Sequence, residues 1–322
     1  MSKINTFENG DDIYKLNYNK SDHGRVFIFN NFHFCRNGNK NISDECKRAK
    51  CRLGSEYDVK DLTELFEELK FEVECIIDKT AKEIRNKIDE LSKKDFNESD
   101  CLIVVIMSHG QTNSEGFDEI CGRDKKCIRL TEFINPFKTV KSLKSKPKLF
   151  FVNACRVPEN EDRNFVPVFC QESKNKDGEC EFICEKKGNY FSHENAKTAK
   201  VCQKAPLGVQ IDFLVSFATA GGYFSVRNIN SGSWFIQSLC KMIKEFKSKK
   251  NILAILTKVN NEVANMERIK SKKIFCVKND MLIKMMPTCI HQLTKEFYFE
   301  KPKSIEVYLK FMLNLKISKI FN

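Results

Sequence analysis

Two runs, CLIVVIMSHG (residues 101–110) and KLFFVNAC (148–155), constrain the fold of this chain more than any other feature. Each carries an unbroken apolar stretch of strand length, LIVVIM and LFFV. A strand that is apolar at successive positions, and not merely at alternate ones, has to bury both of its faces. It therefore belongs to a sheet covered on both sides, and the intervening segments can supply the covers. DVKDLTELFEELK (58–70) sets Leu62, Leu65, Phe66 and Leu69 on one helical face. TAKEIRNKIDELSKK opens with Thr80 and Glu83 at the spacing of a capping box. SWFIQSLCKMIKEFKSK (233–249) and NILAILTKVNNEVANME (251–267) are amphipathic in the same way. Further strands are expected at RVFIFNN (25–31), FEVECIID (71–78) and DFLVSFATAGG (212–222), with a short closing strand at KEFYFE (295–300). Strands alternating with helices read as βαβ units, hence an α/β fold around a largely parallel sheet.

In such sheets the chemistry sits just beyond the carboxyl ends of the strands. SHG and NAC both lie there, which puts His109 and Cys155 on one rim. A cysteine becomes a nucleophile when a base takes its proton, and imidazole is the usual base. Of the five histidines (His23, His33, His109, His193 and His291) only His109 ends a buried-type strand. Gly110 follows it, and the missing side chain lets its N–H face a reacting carbonyl; with the N–H of Cys155 it could form an oxyanion hole. Either residue alone reads as a capped strand end or a core thiol. Together, each ending a parallel strand, they favour a Cys–His dyad.

The bulk numbers exclude more than they assign. Eleven of the 55 basic residues are Arg and the lysines are spread along the chain, so the net charge of +12 reads as a solvated surface. Nucleic-acid recognition favours clustered Arg forks. No apolar stretch is long enough to cross a bilayer, and MSKINTFENGDD lacks the apolar region of a signal peptide, so a cytoplasmic protein without a membrane role is expected. The fifteen cysteines include no tight C-x-x-C pair, and a reduced set of thiols with no metal site and no cofactor is expected. From Arg156 to about Pro206 the chain is polar and without clear periodicity. A run of that length is unusual inside a compact domain.

MSHG and NACRV resemble the His-Gly and Gln-Ala-Cys-Arg-Gly signatures of caspases. CRLGSEYDVKDLTELFEELKFEV is similar to the Arg-x-Gly-(Ser/Thr)-x-x-Asp segment and first helix of that family. FATAGGYFSVRNINSGSWFIQSLC resembles its small-subunit core, and LTKEFYF its closing strand. The likeness runs over residues 13–302 in the order that the family requires. It implies a three-layer sandwich: a mostly parallel six-stranded sheet with helices on both faces. It also implies a division into a short prodomain (1–12), a large-subunit part (13–160), an intersubunit linker (161–206) and a small-subunit part (207–302). Residues 303–322 form an extension to which no role is assigned.

The resemblance implies a cysteine endopeptidase that cleaves after aspartate. Cys155 and His109 are then catalytic, and a backbone carbonyl near Lys50 steadies the imidazole. Arg52 and Arg227 meet the P1 carboxylate; a planar fork that stays charged suits that task. Asn153 stands where the family has the glutamine that completes the pocket. Ser225 and Arg227 run beside the substrate backbone, Phe224 and Val226 line the P2 pocket, and Asn228 and Trp234 lie nearer P4. The short leading segment implies an executioner type, activated by an upstream initiator caspase and met by inhibitor proteins. Processing is expected after Asp177, with Asp12 (or Asp11) as the prodomain cut. A homodimer of processed units is expected to pair across an edge strand near the C-terminus.

Three departures follow. Asn153 is one methylene shorter than glutamine, Val157 replaces the glycine ending the motif, and Val226 replaces a tryptophan common at the P2 pocket. If position 157 needs positive φ, a β-branched residue is strained there. Asn153 and Val157 are the grounds for an alternative: a weakly active or inactive homologue that regulates a caspase by binding it.

Overall fold

The structure, a computed structural model, describes residues 12–17, 23–34, 51–159, 169–174, 180–183, 211–271 and 285–302. Its front part runs β1 (Gly24–Asn30), α1 (Ser55–Glu68), β2 (Glu72–Ile77), α2 (Ala81–Ser92) and β3 (Cys101–Met107). A small antiparallel sheet follows, made of β4 (Gly110–Thr112), β5 (Asp118–Cys121) and β6 (Cys127–Arg129). The chain continues through α3 (Leu130–Ile134), β7 (Lys148–Asn153), β8 (Phe169–Lys174) and β9 (Cys180–Ile183). It ends in β10 (Phe213–Phe217), β11 (Arg227–Asn228), β12 (Gly232–Ser233), α4 (Trp234–Phe246), α5 (Ile252–Ser271) and β13 (Thr288–His291).

The central sheet has six strands in the order β13-β10-β7-β3-β1-β2. Every pairing in it is parallel except that of β10 with β13. Alternate residues of one strand feed opposite faces. Ile103, Val105 and Met107 of β3 pack with Leu62, Phe66, Leu239 and Ile255, from α1, α4 and α5. Leu102, Val104 and Ile106 pack with Ile84, Ile88 and Phe133, from α2 and α3. This is the three-layer sandwich that the apolar runs require. β7 of the front part pairs with β10 of the back part, so one sheet spans both.

Local signals act as the sequence suggests. Thr80 Oγ1 accepts from the Glu83 N–H at 3.2 Å, and the Glu83 carboxylate accepts from the Thr80 N–H at 2.8 Å, which starts α2. Three expectations need correction. The KEFYFE segment is not a strand of the sheet, and the closing strand is Thr288–His291 instead. The alternation in KEFYFE is genuine, for Phe297 and Phe299 are buried in the core. Its backbone, however, bonds to Asp12, Tyr14, Ile252 and Lys247, outside the sheet. The polar stretch after Arg156 is not structureless throughout: β8 and β9 form an antiparallel hairpin inside it, and β8 also pairs in parallel with β11. The thiols are not all reduced either. Cys121 and Cys127 face each other directly across β5 and β6 and are disulfide-bonded. Their five-residue spacing in CGRDKKC is a hairpin loop, which a search for C-x-x-C pairs passes over. No helix among the described residues is long and apolar enough to cross a membrane.

Candidate active site

The parallel register of β3 and β7 builds the site. Met107 pairs with Asn153, and the Ser108 N–H reaches the Asn153 carbonyl at 3.4 Å. His109 and Cys155 lie two residues beyond that pair, on the same rim. Gly110 brings them together: a Cβ there would lie 2.7 Å from the Cys155 carbonyl oxygen and 2.9 Å from the Ala154 Cβ. A side chain at position 110 would push the two strand ends apart. The imidazole of His109 is tilted against the buried ring of Phe34, with ring centroids 4.5 Å apart. The Cys155 sulfur accepts the Ser225 N–H at 3.5 Å.

Burial and charge shift both His109 and Cys155. Burial pushes the His109 pKa down to about 3, and the charges of Arg52, Arg227 and Lys125 act in the same direction. Burial pushes the Cys155 thiol up, opposed by the Ser225 N–H and by Arg227 and Arg52. Burial thus favours a neutral imidazole at His109 and the protonated form of the Cys155 thiol, the forms that a general base and a nucleophile have before proton transfer.

Two guanidinium groups act on both His109 and Cys155. Arg52, 2 % exposed, sits just ahead of α1 and donates from one terminal nitrogen to Asn30 Oδ1 at 3.0 Å and to the Asn31 carbonyl at 3.3 Å. Arg227 opens β11 and donates from Nε to the Leu53 carbonyl at 2.8 Å, which brings it against the residue next to Arg52. Burial, with the charge of Arg227, lowers the Arg52 pKa to about 9. Asp58, fully buried on α1, opposes that repulsion.

A profile of the caspase domain matches residues 23–298. The chain belongs to the caspase family. Caspase-3 of Bos taurus is 33% identical over 292 residues, which cover 90% of this chain and 88% of that protein. Caspase-3 of Oryctolagus cuniculus is 33% identical and that of Mus musculus 32%, each over 290 residues, 90% of this chain and 87% of theirs.

In this caspase, Asn153 ends β7 fully inside the protein: Nδ2 donates to Ser233 Oγ at 2.8 Å, and Oδ1 accepts from Ser225 Oγ at 2.6 Å. Phe224, Ser225 and Arg227 are half-buried beside Cys155, whereas Val226, Asn228 and Trp234 are buried. Val226 and Trp234 belong to the core on the α4 side, and the Val226 N–H meets the sulfur of Met285 at 3.1 Å. Val157 does not adopt positive φ, so the strain feared at that position is absent; its carbonyl accepts the Thr112 N–H at 2.8 Å. Asp12 is exposed, but its carbonyl accepts the Glu296 N–H at 2.7 Å. Lys50, Asp11 and Asp177 lie outside the described residues.

Sequence reasoning assigned no role to Asp58, Ser233, Asn30 or Phe34. Asp58 and Ser233 stand in the motifs RLGSEYD and GSW, yet their link across 175 positions is tertiary.

Proposed function

We propose that this caspase is an active cysteine endopeptidase that cleaves after aspartate, an executioner type acting in apoptosis. One observation carries the reading. A buried guanidinium group, that of Arg52, and a half-buried one, that of Arg227, lie beside a thiol and an imidazole, and the carboxylates of Asp58 and Glu56 counter them. A P1 aspartate adds negative charge beside both guanidinium groups. Arg52 and Arg227 are held in place by Asn30, Asn31 and Leu53, and a planar guanidinium fork suits a carboxylate. In the reaction, His109 accepts the thiol proton as Cys155 attacks the carbonyl carbon, with Gly110 and Cys155 N–H groups meeting the developing oxyanion. The imidazolium then protonates the leaving amine, and water hydrolyses the thioester.

Zymogen control rests on the pairing of β11. β12 holds one of its edges and β8, from the intersubunit linker, holds the other. A substrate strand beside Ser225 and Arg227 has to take the edge that β8 occupies, so cutting the linker after Asp177 frees it. The outermost strand β13, with Met286 and Ile290 exposed beside and on it, supports pairing with a second copy. A cytoplasmic enzyme processed by an upstream initiator caspase fits these features.

Fluorogenic peptides ending in Asp, Asn and Lys test the proposal, with a Cys155→Ala chain as control. Turnover is expected for Asp alone, absent in the variant and higher once the linker is cut. A folded, cut chain that turns over none of the three refutes it.

A further inference from the structure

We infer that Asp58 is a positioning residue for the P1 pocket, acting as terminal acceptor of a one-way hydrogen-bonded chain that orients Asn153 and as the counter-charge that holds Arg52 and Arg227. The inference rests on the aspartate-specific reading above. Four links define the chain. Ser225 Oγ donates to Asn153 Oδ1 at 2.6 Å, and Asn153 Nδ2 donates to Ser233 Oγ at 2.8 Å. Ser233 Oγ then donates to Asp58 Oδ2 at 2.5 Å, and the Ser233 N–H donates to Asp58 Oδ1 at 2.6 Å. An ionised carboxylate only accepts, so the direction of every earlier link follows from it. The Asn153 amide is thereby set with its nitrogen toward Ser233 and its oxygen toward Ser225. The Ser225 backbone N–H in turn touches the Cys155 sulfur.

The backbone is shaped for this contact. Gly232 has φ +92°, and a Cβ there would lie 2.4 Å from Asp58 Oδ1, so only glycine lets β12 approach the carboxylate this closely. The chain also rivets the two halves of the pocket: Asp58 is on α1 of the front part and Ser233 on β12 of the back part. The shortened Asn153 thus works as a strut between the two serines, which gives its missing methylene a structural counterpart.

The charged groups facing Asp58 are Arg52 from the segment before α1 and Arg227 from β11; on α4 the Cys240 thiol feels its charge. Burial raises the Asp58 pKa to about 6, against bonds from Ser233 and the two arginines. His109 stays neutral well below that. Protonated Asp58 becomes a donor, the chain loses its acceptor, and the pocket loses its negative charge.

The test is kcat and KM on an Asp-ending peptide from pH 5 to 8 for wild type, Asp58→Asn and Ser233→Ala. The fluorescence of Trp234, the only tryptophan and the neighbour of Ser233, is titrated in parallel. Asp58→Asn preserves shape but places a donor where only an acceptor works. Its KM at pH 7.5 is expected to rise about tenfold with kcat within about threefold, the pattern of lost substrate positioning. Wild-type kcat/KM is expected to fall about tenfold from pH 7 to pH 5, as one protonation near 6 requires, and Asp58→Asn to lack that fall. Trp234 emission should follow the same transition in wild type and not in the variant. Should Asp58→Asn fail to fold, Ser233→Ala cuts the chain at its centre and must show the same rise in KM. A KM within about twofold of wild type, or an acid limb unchanged in Asp58→Asn, overturns the inference. An absent Trp234 transition in wild type does so without any turnover, whereas a wild type with that transition and no turnover refutes the peptidase reading instead.

Discussion

Replacing Arg52 by lysine keeps a positive charge in the proposed P1 pocket and removes the fork. One terminal nitrogen of Arg52 is committed to Asn30 Oδ1 and the Asn31 carbonyl, which leaves the remainder of the guanidinium to face a substrate carboxylate. A lysine has one nitrogen for both tasks. It either stays with Asn30 and Asn31 or turns to the substrate and leaves those buried acceptors unmet. In the first case one hydrogen bond to a charged group is lost, worth about 1.5–3 kcal/mol. At about 1.4 kcal/mol per factor of ten, that is a loss of roughly 10- to 150-fold in kcat/KM. The contact lies in the pocket, away from the reacting carbonyl, so the loss belongs in KM and kcat should change little. The assay is steady-state hydrolysis of an Asp-ending peptide by the linker-cut enzyme, with a thermal melt to show that Arg52→Lys is folded. A folded variant with kcat/KM within about threefold of wild type would refute the role of the fork.

Other outcomes are as open to measurement. His109 has a depressed pKa, about 3 when folded against an ordinary 6.5, so its contribution to stability is complete above pH 6.5 and is lost as pH falls toward 3. Asp58, raised to about 6, works the opposite way between pH 6 and its ordinary 3.8, and other shifted carboxylates add to both, so the wild type must be compared with a variant. Urea denaturation of His109→Gln should therefore show less acid destabilisation than wild type between pH 7 and pH 5, and equal pH slopes would contradict the assignment. An aspartate-specific protease is expected to cut the linker before the Asp12–Ile13 bond, because Ile13 bridges to Glu296 and the Asp12 carbonyl is already bonded; N-terminal sequencing of a digestion time course decides this. Thr80→Ala should destabilise the fold by about 1 kcal/mol through loss of the capping box, read as a lower denaturant midpoint with unchanged slope. Replacing Cys121 and Cys127 by serine should cost about 2 kcal/mol, the loop-closure entropy of so short a ring. Alkylation with and without reductant, read by mass, tests whether that bond is present.

Much of the site was legible because its residues end strands. Strand ends follow from where apolar runs stop, so His109 and Cys155 could be put on one rim from LIVVIM and LFFV alone. Arg52 and Arg227 could not be reached that way. They come from a segment before a helix and from a two-residue strand, and the resemblance to caspases was needed to name them. The closing strand was misplaced for a physical reason. KEFYFE alternates because Phe297 and Phe299 point into the core, but alternation reports which side is buried and not whether a neighbouring strand supplies hydrogen bonds. TCIH carries the bonds and too little apolar character to advertise them. Val226 and Trp234 were expected at the substrate surface, and their burial is set by Met285 and α4, partners that no local pattern identifies.

Composition and periodicity were sufficient for the α/β class, the parallel sheet, its two covered faces and the rim beyond which His109 and Cys155 lie, because each of these depends on residues near one another along the chain. Tertiary structure alone decided that Asp58 would meet Ser233, that Asn153 would span two serines, that Cys121 would find Cys127 across a hairpin and that β8 would lie on β11. Except for the local Cys121–Cys127 hairpin, those contacts join segments far apart in the chain, and a buried polar group takes whichever partner the packing presents to it.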